Sequence, residues 1–287
     1  MRLIMPSKVN TAIEILQQEG PVPLAIKTSV FLARQTPAGR RILYKKSKEQ
    51  IRDRMNAEEE LEDILDTVLD VKPGYCPYQI FTLQLRDEIN TLTSLVEKER
   101  PQSVLEIGTA KGGSFYTWSR SLESVNELIS LDLPGGRFGG GYDEQMTDIF
   151  REFAPSKKMD FIRDNSHYAD TYKKVSGLID GGIDFLFIDG DHTYEGVKQD
   201  FEMYSELVSE GGIIALHDIV AHPDDKEVVQ RRRQNMEDIE ERHLLWGESH
   251  PDCNVDQFWT ELVEEYETEE IISHPKQTWA GIGVVRM

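Results

Sequence analysis

The stretch Ser103 to Asp132, SVLEIGTAKGGSFYTWSRSLESVNELISLD, constrains the fold of this chain more than any other. Val104-Leu105-Glu106-Ile107 is an apolar run of the length of a buried parallel strand. A glycine-rich turn follows, Gly108-Thr109-Ala110-Lys111-Gly112-Gly113, and Ser114 then stands where a helix N-cap would sit, ahead of Phe115, Tyr116 and Trp118. A second apolar strand, Leu128 to Leu131, ends in Asp132. Strand, glycine turn, helix, strand and terminal acid make one nucleotide-type βαβ unit. Glycines let the backbone approach a ligand closely, and the acid can accept hydrogen bonds from both hydroxyls of a ribose.

The glycine spacing separates ligand classes. A dinucleotide fingerprint is G-x-G-x-x-G, with the pyrophosphate on the helix N-terminus. Here the order is G-x-x-x-G-G, and Glu106 lies two residues before the first glycine. An acid there suits a ligand with a cationic end, such as S-adenosylmethionine (SAM), better than a pyrophosphate. The plainer alternative is a strand-to-helix turn that needs glycine for packing alone. LEIGTAKGGS resembles the first motif of the class I SAM-dependent methyltransferases. That resemblance implies cofactor contacts at Glu106, Gly108, Thr109, Gly112 and Asp132.

At 287 residues the chain can hold one large α/β domain with appendages or two small domains, and a hydrophobic content of 39% supports a sizeable core. The net charge of -20 argues against general affinity for nucleic acid or an anionic membrane, because phosphate contacts need a basic surface. Its plain meaning is solubility, with a salt-rich source as a further reading. Two cysteines, Cys76 and Cys253, lie far apart without metal-ligand spacing and fit a reducing compartment. The start of the chain lacks a signal-peptide apolar region, and no apolar run reaches the length of a membrane span. The expected location is the cytoplasm.

Residues 1–70 read as a helical N-terminal extension. Asn10 to Gln18 has helical spacing, Pro21 and Pro23 break it, and Leu24 to Arg34 forms a second short helix. A basic stretch from Arg40 to Lys48 precedes an acidic helix, Glu58 to Asp70, with Ile64, Leu65, Val68 and Leu69 on one face. Packing on the main domain, covering a substrate cleft and a homo-oligomer contact are all open uses for this extension. Residues 71–287 read as the main domain. Lys72-Pro73-Gly74 is a turn, and Pro77 to Glu99 reads as a helix lying on the sheet through Ile80, Leu83, Ile89, Leu92, Leu95 and Val96.

Beyond Asp132, the glycine-rich residues 134–142 suggest either a mobile flap over the site or a disordered connection. Gln145 to Phe153 is a short amphipathic helix. The third strand, Met159 to Arg163, leads into Asp164-Asn165-Ser166-His167. In the resembling family, polar residues at this point meet the adenine, which implies that role for Asp164, Asn165 and Ser166. His167 reads as a surface residue. The fourth strand, Ile183 to Ile188, runs into Asp189-Gly190-Asp191-His192-Thr193-Tyr194; a helix from Tyr194 to Leu207 and a turn at Glu210-Gly211-Gly212 follow. Ile213 to Leu216 is a fifth buried strand ending in His217-Asp218. Polar groups thus collect at the C-terminal edge of the sheet, where ligands bind in open α/β folds.

Three readings fit Asp189, His192, His217 and Asp218. A divalent cation on Asp189, His217 and Asp218 could bind substrate oxygens while His192 takes a hydroxyl proton. Without metal, His192 or His217 could act alone as general base. Or these residues only hold loops and cap helices. IDGDHTYEGVKQDF with GGIIALHDI resembles the small-molecule O-methyltransferase branch, including catechol and caffeoyl-CoA types and, more closely, macrolide-sugar and cephalosporin-hydroxylase-like types. The resemblance spans about residues 75 to 287. It implies metal ligands at Asp189, His217 and Asp218, a catalytic base at His192, and Asp189 in both the catalytic and cofactor groups. The departure is His217, where those metal enzymes usually carry an acid. Magnesium prefers oxygen ligands, whereas manganese, iron or zinc accepts imidazole.

Residues 219–255 read as a substrate-facing insertion. Arg231-Arg232-Arg233 and the acidic run Glu237 to Glu241 fit a solvated helix, and His222 and Asp224 are placed to line a pocket. Trp246, His250 and Cys253 carry no readable signal. Val255 to Tyr266 is an amphipathic helix with Trp259 and Leu262 in the core. Glu270 to Ser273 and Gly281 to Arg286 form a closing antiparallel hairpin. The expected fold is α/β, a Rossmann-like doubly wound seven-stranded sheet with that hairpin at its edge. The expected function is SAM-dependent methyl transfer to a hydroxyl of a small molecule, in the family's terms a sugar or glycosylated metabolite, with magnesium or manganese as an accessory ion. No nucleic-acid or membrane partner is expected. The alternatives are a nicotinamide-dependent oxidoreductase, disfavoured by the glycine spacing and the hairpin, and a non-catalytic SAM-binding scaffold.

Overall fold

The computed structural model describes residues 21–135, 141–222 and 252–287. By packing, the chain divides into two units: the residues up to Asn56 with Pro73–Gln79, and Ala57–Lys72 with Ile80–Met287. In the first unit, α1 spans Pro21–Ala33. Helix α2 (Pro37–Met55) carries the basic stretch; Thr36 caps it by accepting from the Gly39 amide at 3.0 Å. Ser47 and Gln50 of α2 tie down the turn at Gly74 and Tyr75, Ser47 Oγ accepting from the Tyr75 amide at 2.8 Å and Gln50 Oε1 from the Gly74 amide at 3.0 Å.

In the second unit, seven strands form one sheet in the order β3-β2-β1-β4-β5-β7-β6. They are β1 (Ser103–Ile107), β2 (Glu127–Asp132), β3 (Lys158–Arg163), β4 (Ile183–Ile188), β5 (Val208–His217), β6 (Glu267–Ile271) and β7 (Ile282–Arg286). The first five run parallel, and β7 lies antiparallel between β5 and β6. This is the expected doubly wound sheet with its terminal hairpin. Strand β1 is buried along its whole length, as expected of a central parallel strand covered on both faces. On one face Trp118 packs edge-on against Phe185 and Phe187. On the other, Leu105, Ile129, Leu186 and Ile214 pack with Phe201, Phe258 and Trp259.

Among the described residues, the helices of this unit are α3 (Leu61–Asp66), α4 (Arg86–Glu99), α5 (Gly113–Ser121), α6 (Glu144–Phe150), α7 (Ala169–Ser176), α8 (Tyr194–Tyr204) and α9 (Val255–Glu265). Helix α3 is shorter than the acidic pattern suggests and passes into a wider turn, Thr67–Val71, with Ile64, Leu65 and Val68 still buried. Strand β6 starts three residues before the expected Glu270, and two further elements differ from expectation. The helix over Pro77 to Glu99 starts only at Arg86; upstream, Phe81 bridges to Gly112 and the Thr82 amide donates to the Val68 carbonyl at 3.2 Å. Asp87 and Glu88 in the first turn of α4 favour that later start, since anions stabilise helix N-termini. Leu83, expected on the sheet face, is exposed. The turn at Glu210-Gly211-Gly212 is absorbed into β5, where the β4–β5 register shifts between Ile183 and Phe185.

Register places the site. Ile107 pairs with Ile188, and Ile188 with Leu216, so Gly108, Asp189 and His217 leave their strands side by side.

Candidate active site

The glycine turn lies against the end of β4. Asp189 donates its amide to the Ile107 carbonyl at 2.8 Å. Gly108 has φ +94°, and a Cβ there would lie 2.0 Å from the Asp189 carbonyl oxygen, so only glycine fits. The helix after the turn begins at Gly113 with Gly112 at its cap. Ser114 is therefore not the N-cap. Its hydroxyl instead donates to the Glu106 carboxylate, a stronger acceptor buried beneath the turn.

Glu106 is fully buried, and its second oxygen, Oε2, has no hydrogen-bond partner. Burial, with Asp189 and Asp132 near, pushes its carboxyl well above the usual range against the Ser114 hydrogen bond. Asp132 accepts from the Ala110 amide, and burial raises its carboxyl to about 6. Beneath the turn, Thr109 Oγ1 lies 2.7 Å from Ser130 Oγ, which lies 2.8 Å from the Tyr142 hydroxyl. Tyr142 thus fastens the far end of the glycine-rich segment. Of that segment, residues 136–140 lie outside the described residues. An orphaned buried carboxylate oxygen at the end of β1 and an acid at the end of β2 fit the amino group and ribose of SAM.

The end of β3 holds a local network. Asp164 pairs with Lys174 at 2.9 Å, and Asn165 Oδ1 accepts from the His167 amide at 2.8 Å. The Ser166 carbonyl accepts from the Tyr204 hydroxyl at 2.8 Å. His167 is not a simple surface residue: its Nε2 lies 3.3 Å from the buried Asp200.

At the other side, Asp189, His192, His217 and Asp218 converge. His192 Nε2 lies 3.3 Å from Asp189 Oδ1, and its Nδ1 lies 3.2 Å from Asp218 Oδ2. His217 Nδ1 lies 3.3 Å from Asp189 Oδ1 and 3.4 Å from Asp218 Oδ1. Gln84 donates to Asp189 Oδ2 at 2.9 Å. Asp218 has φ +64°, a conformation Asp tolerates better than most residues, and it accepts from the Ala280 amide at 3.0 Å. Glu88, buried on α4, in turn holds the β6–β7 connection by accepting from the Gly281 amide, the Ser273 amide and the Gln277 side chain.

Charge pairing sets the protonation states here. Burial opposes ionisation of Asp218, but His217, His222 and His192 hold its carboxyl well below the usual range; Asp189 is likewise lowered by His217 and His192. Burial disfavours the imidazolium of His192, and Asp189, Cys253 and Asp218 override it, raising the ring well above its usual value. His222, 3.3 Å from Asp218, is raised to about 9. Cys253 is lowered on balance, because hydrogen bonds with His192 and His222 outweigh burial.

Gln84 and Cys253 gave no functional signal in the sequence. Gln84 sat within an expected helix, and Cys253 reaches the site through the Asn254 amide, which donates to the His192 carbonyl at 2.8 Å. His222 does join the cluster, whereas Asp224, Arg231 to Arg233, Glu237 to Glu241, Trp246, His250 and the segment Asn10 to Gln18 lie outside the described residues.

A parallel sheet in this order, closed by an antiparallel hairpin and carrying a glycine turn and strand-end acids at one edge, defines the class I, Rossmann-like methyltransferase fold. More particularly, residues 105–219 match the model of the Methyltransf_24 family, a methyltransferase domain. An uncharacterized protein of Acanthamoeba polyphaga mimivirus is 30% identical over 131 residues, 45% of this chain and 57% of its own length. One of Sinorhizobium fredii is 26% identical over 129 residues, 43% of this chain and 14% of that protein. The chain therefore spans less than two thirds of either curated relative. Among solved structures, the O-methyltransferase from Bacillus cereus in complex with SAH is 19% identical, covering 80% of this chain and 92% of that one with a TM-score of 0.48. The O-methyltransferase TomG from Streptomyces achromogenes, in complex with SAM, is 14% identical over 85% and 98% of the two chains, TM-score 0.47. No helix among the described residues is long and apolar enough to cross a membrane.

Proposed function

We propose that this chain transfers the methyl group of SAM to a hydroxyl of a small molecule, such as a sugar or glycosylated metabolite. The observation that carries the reading is the contact between its two halves: the glycine turn at Gly108 touches the backbone of Asp189, whose carboxylate faces His192. A cofactor seated on that turn would present its methyl group beside a proton acceptor.

In this reading Glu106 binds the amino group of the cofactor and Asp132 its ribose hydroxyls, with Gly108, Thr109 and Gly112 shaping the turn. Asp164, Asn165 and Ser166 border the adenine. His192 accepts the proton of the substrate hydroxyl as oxygen attacks the methyl carbon and the sulfonium leaves as a neutral thioether. Asp189 and Asp218 stabilise the imidazolium so formed, and hold His192 in orientation from both ring nitrogens. Burial opposes the imidazolium, but their pull raises the ring well above its usual value.

The donor chemistry at Asp189, His217 and Asp218 fits a divalent cation. Their ligand atoms lie within 4.8 Å of one another, and His217 Nε2 is buried without a hydrogen-bond partner. A nitrogen among the donors suits manganese better than magnesium. Such an ion would supply positive charge next to the substrate oxygen and lower its pKa.

The test combines binding and transfer. The purified protein is titrated with S-adenosylhomocysteine (SAH) and with NADH, then incubated with methyl-labelled SAM and a panel of sugars and glycosylated metabolites. SAH alone should bind, and label should pass to a hydroxyl-bearing acceptor. His192→Ala should keep SAH affinity and lose transfer. Binding of NADH alone would move the chain to the oxidoreductases; SAH binding with no transfer to any acceptor would favour the scaffold.

A further inference from the structure

We propose that His192, Asp218 and Cys253 form a site for a thiophilic divalent ion such as zinc or cobalt, distinct in its ligands from Asp189–His217–Asp218 and sharing only Asp218 with it. One ligand atom from each of the three side chains lies within 4.8 Å of the other two. They come from three segments: the loop after β4, the end of β5 and the residues just before α9. Two backbone contacts fix their approach, the Asn254 amide on the His192 carbonyl at 2.8 Å and the Ala280 amide on Asp218 Oδ1 at 3.0 Å. Cys253 and Asp218 are buried, and His192 is mostly so, which shields a thiolate–metal bond from solvent.

A thiolate, an imidazole and a carboxylate are a donor set for zinc-like ions, and His222, 3.3 Å from Asp218 Oδ1, lies beside them. Oxygen-preferring ions have little use for the thiolate and find better partners in the neighbouring group, where Asp189 replaces Cys253. Both groups draw on Asp218, with His192 beside its Oδ2 and His217 beside its Oδ1. Binding of the thiophilic ion releases the thiol proton, and any proton on His192, to solvent. It also ties up a ring nitrogen of His192. Resting on the methyl-transfer reading for this consequence alone, zinc should inhibit where manganese does not.

The binding claim is tested without a substrate. Protein stripped with EDTA and freed of chelator is titrated with cobalt(II) under a phosphine reductant. The expected result is one tightly bound equivalent with a thiolate-to-cobalt charge-transfer band in the near ultraviolet, displaced by one equivalent of zinc. Cys253→Ser should lose the band and bind cobalt about tenfold more weakly or worse. Cys76→Ser, at the other free and exposed cysteine, should keep it, as should His217→Ala. Should Cys253→Ser not fold, zinc protection of Cys253 from iodoacetamide in the unaltered chain, read by peptide mass spectrometry, serves instead. No charge-transfer band, a band that follows Cys76, or alkylation of Cys253 unaffected by zinc would each overturn the site. SAH titration of the same samples reports on the methyltransferase reading separately: its failure alongside an intact cobalt band leaves the metal site standing.

Discussion

If Asp132 holds the cofactor's ribose as proposed, protons and cofactor compete for it. Its carboxyl is raised to about 6, chiefly by burial, with Asp189 adding to the effect and the amides of Ala110 and Leu133 opposing it. Ribose hydroxyls donate to a carboxylate, so SAH should bind the ionised form. At about pH 5 a group with this pKa is ionised in roughly one molecule in eleven, whereas a carboxyl at its ordinary value would be more than about nine-tenths ionised. SAH affinity should therefore fall about tenfold between about pH 7.5 and 5, and a further tenfold per unit below that. Isothermal titration across this range, with unfolding followed in parallel, gives the test. Asp132→Asn should bind SAH weakly and lose the slope.

Stability should move in the opposite direction. Because the folded protein raises this pKa, the neutral carboxyl favours folding. The contribution is fully present below the ordinary value of 3.8 and is lost as the pH rises through about 6. A shift of about two units corresponds to about 3 kcal/mol. Asp132→Asn should remove this term, leaving the variant more stable than the unaltered chain above about pH 6 while binding SAH less well. An SAH affinity that stays flat down to about pH 5, or a slope that persists in Asp132→Asn, would refute the assignment of Asp132 as the ribose acceptor in a buried site.

Three further outcomes are expected. Gly108→Ala combines a left-handed backbone with a Cβ 2.0 Å from the Asp189 carbonyl, and thermal unfolding should show a loss of about 2–5 kcal/mol together with lost SAH binding. Glu106→Gln keeps the Ser114 contact but removes the charge that faces the cofactor's amino group, so calorimetry should show SAH binding weakened by about 1.5–3 kcal/mol with the fold retained. Glu88→Ala strands the buried amides of Ser273 and Gly281 and the side chain of Gln277, and urea unfolding should show a loss of about 3–5 kcal/mol.

What the sequence disclosed follows from how local each signal is. The strands, the glycine turn and the acids at strand ends are written in runs of a few residues, and parallel register then aligns Gly108, Asp189 and His217 with no further instruction. Ser114 was misread because its position matches an N-cap, while the deciding partner, Glu106, becomes available only when the turn folds back over β1. Gln84 was hidden for a different reason. Apolar spacing over Pro77 to Glu99 is helical, and the bridge from Phe81 to Gly112, formed across the fold, overrides it. Tyr142 and Cys253 reach their partners over long intervening stretches, and no periodicity records that.

The acids at the sheet edge show what kind of ligand the edge is built to receive. Glu106 and Asp132, at the ends of β1 and β2, have no imidazole among their hydrogen-bond partners, and their carboxyls are raised. Asp189 and Asp218, at the ends of β4 and β5, are as deeply buried yet lowered, because His192, His217 and His222 supply positive charge. The same low-dielectric edge thus holds one pair of acids whose ionisation burial suppresses, with Lys111 only partly offsetting it at Asp132, and one pair supplied with positive charge by imidazoles. A cationic ligand gains most at the first pair, where it restores ionisation that burial suppresses, and there a sulfonium and an ammonium group would sit. At the second pair an incoming cation must displace protons from imidazoles, which ties its binding to proton release. On the proposed reading, that difference assigns the cofactor to the β1–β2 side and the proton traffic to the β4–β5 side, with the Gly108–Asp189 contact as the seam between them.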